Sequence, residues 1–379
     1  MESIPKNYDH SIESKWAQYW IDNKTFSDKT KEITKDDYVL VIPPPNVTGK
    51  LHIGHALNNT YQDILLRTNK MKGKKCIWVP GTDHAGIATQ TKVEKILIEQ
   101  YESEGKKFNK DEMGKEAFIS EIWNWKNQYG NSIINQLKRL GCGCDWDRIQ
   151  FTMNPQFSDL VKRIFVKLYN DDLIYRSEYI VNWCPVSKTA LANEEVIYED
   201  QKSELYYLRY YYADENDKPI KDKYLVVATT RPETILGDVA VAFSPKDERY
   251  KELENQTLLV PLINRSIKLI KDIYPNPDFG TGLVKITPAH DVNDFKVGQR
   301  HKLPKLKILD EDAKIYNTGT RFDGMDRFEA REEILKDLDE KGFLEKRESY
   351  KNRIGRSYRS GAIVESLLSK QWFVRMEPL

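Results

Sequence analysis

Cysteine is scarce in this chain: Cys76, Cys142, Cys144 and Cys184 are the four among 379 residues. Their spacing shows no disulfide framework, which excludes a stapled secreted scaffold and suits a reducing cytoplasm. Cys142 and Cys144 stand closer together than the cysteine pairs of structural zinc knuckles, so no zinc site is expected. Long apolar runs are lacking too. None is long enough to span a bilayer, and the N-terminal stretch has no signal-peptide pattern. A membrane protein is therefore not expected, and the chain reads as cytoplasmic. Charge of one sign is also missing, with 59 Lys and Arg against 58 Asp and Glu. That balance leaves a nucleic-acid partner open, because basic residues can gather on one face.

What the chain does have is concentrated between Pro43 and His55, which read Pro-Pro-Pro-Asn-Val-Thr-Gly-Lys-Leu-His-Ile-Gly-His. An apolar run, Tyr38 to Ile42, precedes them and suits a buried parallel strand. Apolar or small residues follow at helical spacing, from Ile53 and Ala56 through Leu65 to Met71, with Gly73 placed to end the helix. Cys76 to Val79 is a second strand-like run. The unit is strand, HxGH turn, helix, strand, and such a turn sits at the sheet edge where open α/β folds bind ligands. Gly49 and Gly54 permit close backbone approach. The helix start offers free N–H groups to phosphate. His52 and His55, three apart, are placed to donate to the same phosphate.

The chain divides into three parts. Residues 1–178 open with an amphipathic helix carrying Ile12, Trp16, Tyr19 and Trp20. They continue through the βαβ unit to helices over 88–100 and 116–140. Glu102 to Lys115 is charged and reads as an exposed loop. Asp145-Trp146 is either a site-facing segment or a plain helix end. Residues 179–350 shift to short strands, at 224–228, 239–243, 258–263, 283–287 and 306–309. Helices are expected near 291–301 and 327–341. Such a pattern predicts a compact strand-rich domain. Residues 351–379 return from it.

The strand-rich part has its own polar constellation. Thr229-Thr-Arg-Pro-Glu-Thr234 follows one strand, and Lys285-Ile-Thr-Pro-Ala-His-Asp-Val-Asn-Asp294 follows another. Each sets hydroxyls and charges beside a proline that fixes a turn. Asp291 is equally a helix cap, and a solvated strand face is the lesser alternative for Lys285.

These motifs resemble the class I aminoacyl-tRNA synthetases. The HxGH turn is their signature. Pro43 to Gly49 and Gly81-Thr-Asp-His-Ala-Gly-Ile-Ala-Thr-Gln90 resemble the valyl branch. The resemblance implies an α/β fold, with a Rossmann-like, parallel-sheet nucleotide-binding half and an inserted, strand-rich editing domain. It implies ATP, with Mg2+, as a substrate rather than a resident cofactor, and L-valine and tRNA-Val as partners. His52 and His55 would be catalytic. Thr48, His52, Gly54 and His55 would bind ATP. Pro44, Asn46 and Asp83 would surround valine, although Asp83 also suits a plain turn and His84 a structural place. Thr230, Arg231, Thr234, Phe279, Lys285, Thr287, Asp291 and Asp294 would form an editing site for threonyl-tRNA. There Lys285 and Asp294 would be catalytic, and Arg231 would lie near the tRNA terminus. Editing is needed because a hydrophobic pocket rejects an added hydroxyl by only about 10², the valyl enzyme being a standing example of that limit. The family's KMSKS loop has no match here, so the chain is expected to be a piece of a longer enzyme, a monomer, and unable to form valyl-adenylate alone. Serines in Arg356-Ser-Tyr-Arg-Ser360 stand where some relatives carry zinc-binding cysteines, so no metal is expected. A free-standing editing hydrolase and a non-catalytic tRNA-binding remnant are the alternatives.

Overall fold

The computed structural model describes residues 7–27 and 32–379. The chain packs as two compact units, Met1–Asp172 and Leu173–Leu379.

In the first unit α1 (Ile12–Asp22) precedes β1 (Tyr38–Val41), α2 (Ile53–Met71) and β2 (Cys76–Val79). The two strands pair in parallel, Tyr38 opposite Cys76 and Val41 opposite Val79. This is the βαβ unit expected from the apolar pattern. Gly73 at φ +79° ends α2, with the Lys74 N–H bonded to the Asn69 carbonyl. A two-residue β3 (Gly81–Thr82), α3 (Ile87–Ser103), a short α4 (Lys110–Met113), α5 (Lys115–Arg139), β4 (Gln150–Phe151) and α6 (Pro155–Asn170) complete the unit. β3 pairs in parallel with β4. The core gathers Ile42, Val47, Leu66, Trp78, Ile133 and Leu137. The expected amphipathic α1 buries less than its pattern suggests. Trp16 and Tyr19 stay largely exposed, while Trp20 packs against this core. The expected 102–115 loop contains α4, because Asn109 caps the Asp111 and Glu112 N–H groups.

In the second unit β5 (Ile174–Cys184), β6 (Thr189–Leu191) and β14 (Glu365–Val374) form one antiparallel sheet. A larger sheet combines β7 (Val196–Ala213), β8 (Pro219–Thr229), β9 (Ala240–Phe243), β10 (Thr257–Leu259), β11 (Ser266–Lys271), β12 (Leu283–Ile286) and β13 (Leu344–Ser357). Its order is β12-β9-β11-β10-β7-β13, with β8 also on β7. Leu208, Tyr210, Val241, Phe243, Leu258 and Leu269 are buried in the core over this sheet. The helix α8 (Arg327–Glu340) adds Ala330, Ile334 and Leu338 to it. α7 (Val292–His301) follows β12 through a turn. The expected strand at 306–309 is absent, and Leu309 makes only an isolated bridge with Ile315. The Ile308 N–H is taken by His290 Nε2 at 2.9 Å, which removes it from any ladder. Residues 351–379 lie within this unit, with β13 on β7 and β14 on β5.

Candidate functional site

The first constellation lies where β1 and β2 end. Pro43 to Pro45 cannot donate to a ladder, and the chain leaves β1 extended. Asn46 and Asp83 then form a parallel bridge. The Val47 N–H reaches the Asp83 carbonyl at 3.0 Å, and the Asp83 N–H reaches Pro45 at 2.8 Å. The Asp83 carboxylate accepts from Thr152 Oγ1 at 3.0 Å. Thr152 also accepts from the His84 N–H at 3.0 Å, and nothing in the sequence marked it. Asn46 and Pro44 are exposed and Thr48 is half-buried.

His52 caps α2. Its Nδ1 accepts from the Gly54 N–H at 3.1 Å, and His55 Nδ1 accepts from the His52 N–H at 3.3 Å. With Nδ1 accepting, each ring carries a proton on Nε2, as a donor. The rings lie 3.9 Å apart between centroids. Burial, then the neighbouring His52, lowers the His55 pKa. Gly54 has a local reason to be glycine, since a Cβ there would sit 3.0 Å from His52 Cε1. The result is a helix start whose Gly54, His55 and Ala56 N–H groups are taken by His52, and which presents two imidazole Nε2 donors and the positive end of α2, suited to an anion.

The second constellation forms a cavity of about 400 Å³ in the strand-rich unit. Thr230, Arg231, Thr234, Phe279, Lys285, Thr287, Asp291 and Asp294 all line it. β8 delivers the first three through the Pro232 turn, and β12 and the start of α7 deliver the last four. The two segments meet because β12 pairs with β9, which follows the Pro232 turn. Phe279 is half exposed at the rim, edge-on to Tyr350 at 6.0 Å. Asp291 is the α7 cap, accepting from Asn293 N–H at 2.7 Å and Asp294 N–H at 3.0 Å.

Asp294 is buried and accepts from the Thr287 N–H at 2.8 Å. Burial, with Asp291 nearby, raises its pKa to about 7. Lys285 is buried rather than solvated. Its ammonium donates to Thr287 Oγ1 at 2.6 Å, Thr234 Oγ1 at 2.8 Å and Asp238 at 3.1 Å. All three of its hydrogens are thus engaged within the wall. Arg231 is similarly committed, to Glu233 at 3.0 Å, Glu365 at 2.7 Å and the His290 carbonyl at 3.3 Å. Burial would raise the Glu233 pKa, but Arg231 and Arg331 outweigh it and hold the group at about 2. Burial lowers His290 to about 3, so it is neutral. Sequence reasoning missed Asp238, Tyr210 and Glu365. Asp238 had a signal, since it directly follows the Thr229–Gly237 turn, but Tyr210 and Glu365 come from distant strands.

Residues 15–379 match the family model "tRNA synthetases class I (I, L, M and V)". The chain belongs to the class I tRNA synthetase family. Among curated relatives, a valine–tRNA ligase of Thermotoga maritima is 49% identical over 97% of this chain and 41% of its own length. One of Protochlamydia amoebophila is 50% identical over the whole chain and 39% of its own. A third, of Carboxydothermus hydrogenoformans, is 48% identical over the whole chain and 42% of its own. The chain thus spans about two fifths of the length of these relatives. A solved LeuRS chain of Agrobacterium radiobacter K84, in complex with tRNA and LeuAMS, is 20% identical. It covers 95% of this chain and 49% of its own at a TM-score of 0.42, too loose a likeness to build on. Among the described residues no helix is long and apolar enough to cross a membrane.

Proposed function

We propose that this chain serves in a valine–tRNA ligase, a monomer working in the cytoplasm. In the first unit the valine carboxylate attacks the α-phosphate of ATP, supplied with Mg2+, and releases pyrophosphate. The terminal ribose hydroxyl of tRNA-Val then takes the valyl group. His52 and His55 donate their Nε2 hydrogens to phosphate oxygens, and Asp83, oriented by Thr152, faces the valine ammonium with Pro44 and Asn46 beside it. Thr48 and Gly54 belong to the ATP side of the turn.

In the strand-rich unit the proposed reaction is hydrolysis of threonyl-tRNA-Val. Water attacks the ester carbonyl and the ribose hydroxyl leaves. Asp294 holds the substrate's ammonium or hydroxyl, while Thr230 and Phe279 bound the space it occupies. The single observation behind this part is the convergence of seven polar positions from two distant segments, with Phe279 at the rim, on one cavity of ligand size. Deacylation of tRNA-Val bearing threonine or valine by the purified chain tests it. Faster loss of threonine is expected, and equal loss of both would sink the reading.

A further inference from the structure

Two hydroxyls of the second cavity have no freedom in how they hydrogen-bond. An ammonium only donates, so Thr234 and Thr287 must each accept from Lys285. Each then has one hydrogen left to place. Thr234 gives its hydrogen to the Arg231 carbonyl at 3.0 Å. Thr287 gives its hydrogen to Asp238 at 2.6 Å. A hydroxyl offers one donor and two lone pairs. What remains on each is a single lone pair.

Asp238 is fully buried, and its own state is fixed from every side. One carboxylate oxygen takes Lys285 and Thr287, and the other takes the Tyr210 hydroxyl at 2.6 Å. Tyr210 is also fully buried. The third polar group of the wall, Asp294, is in its ionised form, above about pH 7, a further acceptor, with one oxygen on the Thr287 N–H. Among the described residues its other oxygen has no donor.

We infer that Asp238 is a positioning residue that sets the cavity's specificity: by drawing the Thr287 hydrogen inward it leaves a wall of acceptors, which recognises a ligand side chain that donates a hydrogen bond. This rests on reading the cavity as an editing site. It goes further in stating what is recognised, the hydrogen of the threonine hydroxyl rather than its size or its oxygen. Valine fills the same space and leaves the lone pairs unpaired. A fluorine in place of the hydroxyl keeps the size but cannot donate.

The test is calorimetric titration of the full chain with three stable probes. Each is adenosine joined through a 2′-amide to threonine, to valine or to 2-amino-3-fluorobutanoate. Threonine is expected to bind about tenfold more tightly than both others, as one lost donor implies. A threonine probe no tighter than the valine probe overturns the reading of the cavity. Threonine favoured over valine, with the fluoro probe equal to threonine, leaves that reading standing and overturns this inference. Asp238→Ala frees the Thr287 hydrogen to turn into the cavity, and the preference for threonine over the fluoro probe should fall below about threefold. Asp238→Asn keeps one acceptor oxygen toward Lys285 and Thr287, and should retain the preference. A folded Asp238→Ala chain with unchanged preference also overturns the inference. Should that variant not fold, the three probes on the unaltered chain still decide.

Discussion

Arg231 and Glu365 join the turn after β8 to the first residue of β14, through an ion pair of 2.7 Å. The second oxygen of Glu365 takes Arg327 at 2.6 Å. Glu365 is thus buried between two guanidiniums, one on the cavity turn and one at the start of α8. Removing the acid strips Arg327 of its carboxylate in a desolvated place and leaves Arg231 with Glu233 as its one carboxylate partner. Losing one partner of a buried pair costs about 3–5 kcal/mol. Glu365→Ala should lose about that much in urea unfolding. A loss under about 1 kcal/mol would mean the guanidiniums reach water instead.

Asp291 and Asp294 face the same cavity but should respond differently to alanine. Asp291 caps α7, so Asp291→Ala should cost about 1 kcal/mol of stability, and Asp291→Asn much less. On the proposed reading, Asp294→Ala removes one partner of a charge-assisted bond to substrate. It should slow threonyl-tRNA hydrolysis about 10- to 100-fold, or ~1.5–3 kcal/mol. Denaturation and deacylation on both variants check the split. An unchanged rate with Asp294→Ala would refute its assignment to substrate.

Gly298 packs α7 against the loop that carries Thr287. A Cβ on Gly298 would lie 2.9 Å from Pro288 Cβ and Cγ, closer than real contacts allow. The proline ring cannot swing away, so the helix must shift. Gly298→Ala should cost about 1–3 kcal/mol as overpacking does, despite alanine's better helix propensity. It should also slow deacylation, since Asp294 rides on the same helix. A stabilised variant with full activity would contradict this.

The sequence was most readable where apolar periodicity and turn chemistry agreed. β1, α2 and β2 carry a clear pattern, and Gly73 ends α2 as its position implies. Most residues lining the cavity were legible because they belong to two polar segments set beside Pro232 and Pro288 at strand ends, while Phe279 was implied by the family resemblance alone. The long ribbon of β7 and β13 was not. It alternates charged residues along much of its length, and most of its first half is exposed on both faces. Without a buried face there is no apolar alternation to find. Asp238, Tyr210 and Glu365 were hidden for another reason. Their roles arise from pairing between strands far apart in the chain, and periodicity carries no trace of that. Lys285 was legible as a candidate, but its three internal bonds were not, so its part in the wall emerged only from the geometry.

Asp294 makes the pH dependence of the cavity predictable. Burial pushes its carboxyl up, Asp291 and Asp238 push the same way, and Lys285 and the Thr287 N–H oppose them, leaving it at about 7. Tyr274 lies nearby and remains neutral in this range, its own pKa raised by burial to about 12. On the proposed reading, the ionised form of Asp294 is the one that accepts from a substrate ammonium or hydroxyl. Threonyl-tRNA hydrolysis, corrected for the spontaneous rate at each pH, should therefore be low below pH 6 and climb through about 7. A substrate ammonium favours ionisation, so the midpoint at saturating substrate should lie lower than with free enzyme. Stability has the opposite sign. An ordinary unfolded Asp has a pKa of about 3.9, so between that value and about 7 the folded chain holds the extra proton. This contribution is present in full below about pH 4 and is lost as pH rises through about 7. Asp294→Asn should remove both effects together, flattening the rate profile at a low level and removing that fall in stability. Denaturation midpoints and initial deacylation rates at half-unit steps from pH 5 to 8.5 measure both. A parent rate independent of pH across that range would show that the carboxylate of Asp294 is not the form the reaction uses.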